Sequence, residues 1–560
     1  MKSILLYIVL CSVILGCTSS KSTIKASPNV TAGFMKNEAL TTEEKQHWHF
    51  KDIYTDSIPG ISLDKAYTTL LKGKKGDTII VAVLDMRIHK NHEDIKDFIW
   101  TNTDEIPNNG IDDEHNGYID DIHGWNFLGN SKGEQAYRAN FEYVRIIRKF
   151  KAKFDGKKRE EFEGKSLENF DEYLRAKKVY NEDLKYTKRK LSSLKYKQIR
   201  KNFLEQNILK ELPNSSLSVD ALKNLKITDK KLANNIKLLI QLKKDSVKDA
   251  FDIELEKRYL DFYLNEEFNE RLIMGDDINN LDDKTYGNNN VTSDNSTSSH
   301  THAIKVAGII AANRNNKIGI KGITNQVKIM PIAISPYGDE QDKDMALGIR
   351  YAVDNGAKII NISSSKKFSI HEEWVFNALR YAEKNDVLVV TSAGNEAENL
   401  DFIQNYPDDT ENKNYEIVNN FIKVGASTHQ LNESLIHYTS NYGKESVDIF
   451  APGKNIYTTY PNNNYDYSSG TSYASPIVTG VAALIRSNYP NLSATEVKEI
   501  IINSGVEIKW SVSKPPNTNN KDLVPFSSLS KSGKIVNAYN ALLLAEEISK
   551  KKKKKRKKKK

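Results

Sequence analysis

The feature that most constrains this chain is a succession of short apolar runs without polar alternation. They are DTIIVAVLDM (Asp77–Met86), VKIMPIAI (Val327–Ile334), AKIINIS (Ala357–Ser363) and DVLVVTSAGN (Asp386–Asn395). Runs of this kind are strands buried on both faces of a parallel sheet. Helix-period segments separate them, one through Ala346 to Asn355 and another from Trp374 to Asn385. Strand and helix alternating over about 200 residues predict an α/β protein, with a doubly wound, mostly parallel sheet and helices on both faces. Such sheets place their chemistry at the carboxyl ends of strands. Asp85 closes the first run, and Gly394 and Asn395 close the last.

A second stretch, YSSGTSYASPIVTGVAALI (Tyr467–Ile485), is small and polar in its first half and helical in its second. Ile477, Val481, Ala482 and Ile485 recur at three- and four-residue spacing, and Pro476 fits a first helical turn. Ser472 therefore stands at a helix N-terminus, where unpaired backbone N–H groups and the dipole can stabilise an oxyanion. A turn of small residues can also be merely structural, so the weight falls on the rest of the chain. Upstream, HTHAIKVAGIIAA (His300–Ala312) sets His302 before a helix whose Val306, Ile309 and Ile310 face inward.

Between the first strand and that histidine lie two further features. NGIDDEHNGYIDDIHGWNF (Asn109–Phe127) offers oxygen ligands at alternate positions, with Gly117 for a sharp turn. That arrangement suits a hard cation, and Asp112, Glu114, Asn116, Asp120 and Asp121 are candidate calcium ligands. No glutamate holds the twelfth position, so this is not an EF-hand loop; the alternative is an acidic turn held by Asx hydrogen bonds. After it, Lys, Glu, Leu, Tyr and Phe dominate while glycine and proline nearly vanish. Sets such as Leu167, Phe170 and Leu174, or Leu255, Tyr259 and Phe262, have amphipathic helical spacing. They predict two or more long helices, paired as a hairpin and inserted into the α/β domain, with solvated basic faces.

The first residues, MKSILLYIVLCSVILGC, read as a secretory signal, too short and wrongly flanked for a membrane-spanning helix. The formal net charge of +9 comes from the C-terminal run: residues 550–560 are all Lys or Arg, and removing those eleven leaves −2. Net charge therefore gives no reason to expect a nucleic-acid partner, and self-repulsion predicts a disordered tail. The divisions expected are a signal at 1–16, a polar tether at 17–45, the α/β domain at 46–129 and 286–548, the helical insertion at 130–285, and a polybasic tail at 549–560.

The order Asp85, His302, Ser472 is one of the known orders of a catalytic triad. Together with it, the blocks VAVLD, HEDI, HAIKVAGIIAA, VVTSAGN, VDIFAPG and SGTSYASP resemble the successive signatures of the subtilisin-like serine proteases. The acidic loop and the helical insertion resemble a bacterial lipoprotein branch of that family, and ILGC resembles a lipobox with Cys17 as the acylated residue. Cys11 would leave with the signal, so no disulfide is expected. The resemblance implies a lipid-anchored exported protease acting on peptides or proteins, with structural calcium and no organic cofactor.

It also implies roles. Ser472 would attack the scissile carbonyl, His302 would carry the proton, and Asp85 would hold the imidazole. Asn395 would donate to the oxyanion, and Ser363, Ser364, Ser365, Ser392, Ala393 and Gly394 would line the cleft. His302 is preferred over His300 because it stands four residues before the VAG that fixes the register. The sequence departs from the family at Met86, Arg87, Ala303, Ile304 and Ser365, each bulkier than expected, and Arg87 is placed to compete for Asp85. The contrary expectation is an impaired pseudoprotease, or a binding module acting through the helical insertion.

Overall fold

The computed structural model describes residues 39–293, 300–411, 415–516 and 522–559. The expected signal and Cys17 lie outside the described residues. Nine strands form the central sheet: β1 (Ile79–Asp85), β2 (Trp125–Asn126), β3 (Val327–Ala333), β4 (Ile359–Ile362), β5 (Leu388–Ser392), β6 (Phe421–Ser427), β7 (Ile449–Pro452), β8 (Val506–Glu507) and β9 (Lys534–Ile535). Their order is β8-β9-β7-β6-β5-β4-β1-β3-β2, and every pairing is parallel except β8 with β9.

The continuous apolar runs are explained by what covers each face. Side chains alternate along a strand: Val81 and Val83 enter one core layer while Ala82 and Leu84 enter the other. Ile359 against Ile360 and Ile362, and Val390 against Val389, divide in the same way. The first layer is roofed by the His302–Ala311, Thr471–Asn488 and Ala494–Ser504 helices, the second by Asp342–Asp354 and Glu372–Lys384. The doubly wound α/β architecture is therefore as expected.

Strand β1 has β3 on one side and β4 on the other. The chains leaving β3 and β4 therefore stand on either side of its carboxyl end. The first of them is held there by the Ile334 and Ser335 N–H groups on the Asp85 carbonyl (2.9 and 3.1 Å). The carboxyl ends of such strands are where α/β sheets place their sites.

The insertion differs in detail from a simple hairpin. Its outgoing leg is a single helix, Gly164–Glu211, of 48 residues, about 72 Å at 1.5 Å per residue. The return is broken into Lys230–Lys244 and Ser246–Arg258, interrupted at Asp245. A preceding helix, Glu142–Phe154, roots the insertion on the body.

The C-terminal tail corrects the expectation of disorder. Ala538–Lys559 is one helix, started by Ala538, Ala541, Leu542 and Ala545 buried in the core. Glu546, Glu547 and Glu496 pair with Lys550, Lys551 and Lys552, offsetting part of the repulsion in its first basic turn. No described helix is long and apolar enough to cross a membrane.

Candidate active site

Asp85 ends β1 and is 3% exposed. Its Oδ1 accepts from the Met86 N–H at 2.7 Å, and His302 Nδ1 lies 2.8 and 3.0 Å from its two oxygens. These two residues are 217 positions apart in the chain. Burial of the imidazole opposes its charged form, but the charge and hydrogen bond of Asp85 outweigh that and hold its pKa above 6.5.

Ser472 is the second residue of the Thr471–Asn488 helix. Its hydroxyl donates to the Ser363 carbonyl at 2.9 Å rather than to His302, while the next ring, Tyr473, sits 5.6 Å from the His302 ring. The helix is bolted to the end of β4: Ser363 Oγ meets the Ser472 carbonyl (3.0 Å) and Ser475 Oγ (2.9 Å). Asn361 joins the same network through Ser363 and Thr479. Ser475, Thr479 and Asn361 thus fix the serine's position, although their small polar side chains gave no sign of it in the sequence.

Asn395 is exposed beside this helix start. Its Oδ1 accepts from the Thr471 N–H at 2.9 Å, which leaves Nδ2, the donor end, without a protein partner among the described residues. Gly470, at φ +140°, makes the sharp entry; a Cβ there would lie 3.1 Å from Asn395 Oδ1. Of the expected cleft residues, Ser392 and Ala393 are buried, and Gly394 is held through its N–H on Thr471 Oγ1. Ser364 and Ser365 are partly open.

Three of the departures from the family pattern, Arg87, Ala303 and Ile304, turn away from the Asp85–His302 pair. Arg87 turns to Tyr137, with a 3.2 Å hydrogen bond and its guanidinium 5.4 Å from the ring centre, so Asp85 is left to His302. Ala303 and Ile304 are buried in the core. His300 packs between Tyr137 and Tyr337, at ring separations of 5.2 and 5.3 Å.

The acidic loop is folded differently from the even array expected of it. Asp112 accepts from the N–H groups of Asn116 and Gly117, and Asp120 from those of Asn109 and Gly110, so both stabilise the turn. Asn116 faces the other carboxylates with its amide, bonding Glu114 Oε1 at 2.7 Å. Glu114 and Asp121 instead converge with Glu105, their ligand atoms all within 4.8 Å. Glu105 was missed because it precedes the alternating pattern.

Burial, and then the neighbouring Glu114, push the Glu105 carboxyl up to about 7; burial also pushes Asp121 up to about 6. Glu105 Oε2 and Glu114 Oε2 are buried with no hydrogen-bond partner among the described residues. An oxygen-only cluster with two orphaned carboxylate atoms fits a hard cation such as calcium.

The profile of the subtilase family matches residues 76–528, and the chain belongs to that family. It is 34% identical over 208 residues to thermitase of Thermoactinomyces vulgaris, which takes in 37% of this chain and 68% of thermitase. It is 38% identical over 193 residues to the thermophilic serine proteinase of Bacillus sp. (strain AK1), covering 34% of this chain and 44% of that protein. With the cell wall-associated protease of Bacillus subtilis (strain 168) it shares 34% over 210 residues, 37% of this chain and 22% of the relative. The chain thus spans less than half the length of the latter two relatives. Among solved structures, a protease from Pseudoalteromonas arctica aligns at 27% identity over 44% of this chain and 70% of its own, with a TM-score of 0.36.

Proposed function

We propose that this protein is a serine endopeptidase that cleaves peptide bonds through Asp85, His302 and Ser472. The observation that carries the reading is the Asp85–His302 pair, 2.8 Å apart, beside a serine at a helix N-terminus. Rotation of the Ser472 side chain away from Ser363 would bring Oγ to the free imidazole nitrogen. Oγ then bonds to the scissile carbonyl carbon as its proton passes to His302, and Asp85 stabilises the imidazolium. The carbonyl oxygen, now negative, is met by the Ser472 N–H and by Asn395 Nδ2, one such donor being worth roughly 3 kcal/mol. His302 gives the proton to the leaving amine as the C–N bond breaks, and water returns the acyl group from Ser472 by the same route.

A fluorophosphonate probe tests this reading. Folded wild type is expected to be labelled at Ser472, and Ser472→Ala to lose both labelling and casein cleavage without losing its fold. Unlabelled, folded wild type would instead support a binding role for the helical insertion.

We also infer that Glu105, Glu114 and Asp121 hold a structural calcium ion, whose two positive charges when bound would offset most of the repulsion among the three carboxylates. From the sequence of the first 17 residues we infer export and a lipid at Cys17, holding the protein at a cell-envelope membrane. Radiolabelled palmitate should enter wild type and fail to enter Cys17→Ala.

A further inference from the structure

The segments that leave β3 and β4 stand on either side of the carboxyl end of β1, at Asp85. The β4 segment starts at Ser363, whose carbonyl holds Ser472 Oγ, and continues through Ser364 and Ser365. The backbone groups of those two residues bond to no neighbouring segment among the described residues. They form a short open edge that an extended peptide can pair with. On the serine-peptidase reading the acyl portion stays on Ser472, whose Oγ sits on the Ser363 carbonyl where this edge begins, so the acyl portion runs along the edge.

The edge stops at the next residue. Lys366 exchanges both backbone bonds with Tyr406, at 2.9 and 2.7 Å. Its side chain, 1% exposed, crosses to the segment that leaves β3: Nζ lies 2.7 Å from the Glu340 carbonyl, 2.8 Å from Asp342 Oδ1 and 3.4 Å from Glu142 Oε2. Arg145 also donates to the carbonyls of Glu340 (3.2 Å) and Asp339 (2.5 Å). Glu142 and Arg145 belong to the helix that roots the insertion. Past Ser365, therefore, Lys366 bridges the two segments, and backbone acceptors on the far one are already bonded by Lys366 and the insertion.

We propose that Lys366, clamped by Glu142 and Asp342, closes the acyl-side end of the substrate groove, and that the root of the helical insertion sets this limit. The enzyme grips about three residues before the scissile bond, and residues beyond them leave the groove without adding affinity. The inference rests on the serine-peptidase reading and gives its insertion a task.

A ladder of peptide aldehydes, one to six residues long, tests it on the full chain, because the aldehyde carbon fixes each register at Ser472. In wild type, inhibition should tighten over the first three residues and then level off, changing less than about twofold per residue. Lys366→Met takes Nζ off the Glu340 carbonyl, the one backbone acceptor its side chain occupies, and should gain several-fold between the third and fifth residues. Glu142→Gln, a milder release of the same lysine, should gain less.

Continued tightening in wild type through the sixth residue overturns the proposal, and that ladder decides it even if Lys366→Met fails to fold. A plateau at three residues that neither folded variant moves overturns the role of Lys366. Fluorophosphonate labelling run in parallel separates the two failures: labelled enzyme with the wrong length dependence sinks the groove limit alone, whereas unlabelled enzyme sinks it together with the peptidase reading.

Discussion

The α/β body and the helical insertion are held together in different ways. The body has two continuous apolar layers on either face of one sheet, in which residues as distant as Val81 and Ile477 share a cluster. Beyond its root, the insertion has small separate clusters along a 48-residue helix, one around Leu191, Leu194 and Ile253, another around Ile208, Leu222 and Leu239. Its outer ion pairs, such as Arg159–Asp171 and Lys257–Glu254, are exposed and contribute little each.

At the root the balance inverts. Arg145, Arg271, Lys343 and Lys366 are buried and paired with Glu142, Glu270, Asp276, Asp342 and Asp344. Breaking one buried pair is costly because the remaining charge is stranded. The comparison teaches that the body sets where reacting groups stand, while the insertion acts on the body through its polar base and leaves its far end free to open locally.

The comparison can be broken most sharply inside the body. Asp85→Asn should keep the fold and lower kcat/KM by roughly 10⁴-fold, because the imidazole loses its orienting anion; near-normal turnover in that variant would remove Asp85 from the chemistry.

Two core truncations then set the regions against each other. Leu84 and Leu239 are both fully buried, and Leu→Ala at such sites costs roughly 2–5 kcal/mol. Leu84→Ala should lower global unfolding free energy in denaturant. Leu239→Ala should raise hydrogen exchange around residues 204–244 while Ser472 labelling persists. Equal global losses would mean that the insertion and body unfold as one unit.

Calcium comes next. A hundredfold excess over its dissociation constant stabilises a folded protein by about 2.7 kcal/mol, so EDTA should lower the melting temperature of wild type but leave Glu105→Gln nearly unmoved. The same response in both would exclude the Glu105 cluster as the ion's site.

The smallest effect expected is on the pH profile. His302 must be neutral to accept a proton, and its pKa is raised, so activity should increase with pH along an acid limb whose midpoint lies above 6.5. In stability terms the sign is opposite: the His302–Asp85 contribution is complete below the unfolded histidine pKa and fades as pH rises through the folded one. An acid limb below 6.5 would contradict the Asp85 contact.

The sequence by itself determined β1, β3, β4 and β5, because runs buried on both faces are largely apolar and need no partner to declare themselves; the other five strands of the sheet were not read from it. It also placed Ser472 at a helix N-terminus, marked by the small polar residues before the apolar spacing and by Pro476; the helix begins at Thr471. It named Asp85 and His302 as a pair, through their place in a recurring set of blocks.

The tertiary structure alone decided what lies around them. Nothing local predicts that Arg87 turns to Tyr137, that Glu105 replaces Asp112 and Asp120 beside Glu114, or that Lys366 bridges to Glu340. Of the acidic partners that favour a helix over a disordered run in the tail, Glu546 and Glu547 are local, but Glu496 is distant in sequence. The physical reason is common to all of these: periodicity reports which side of an element is buried, whereas the partner of a charged side chain is set by how separate loops meet at the end of the sheet.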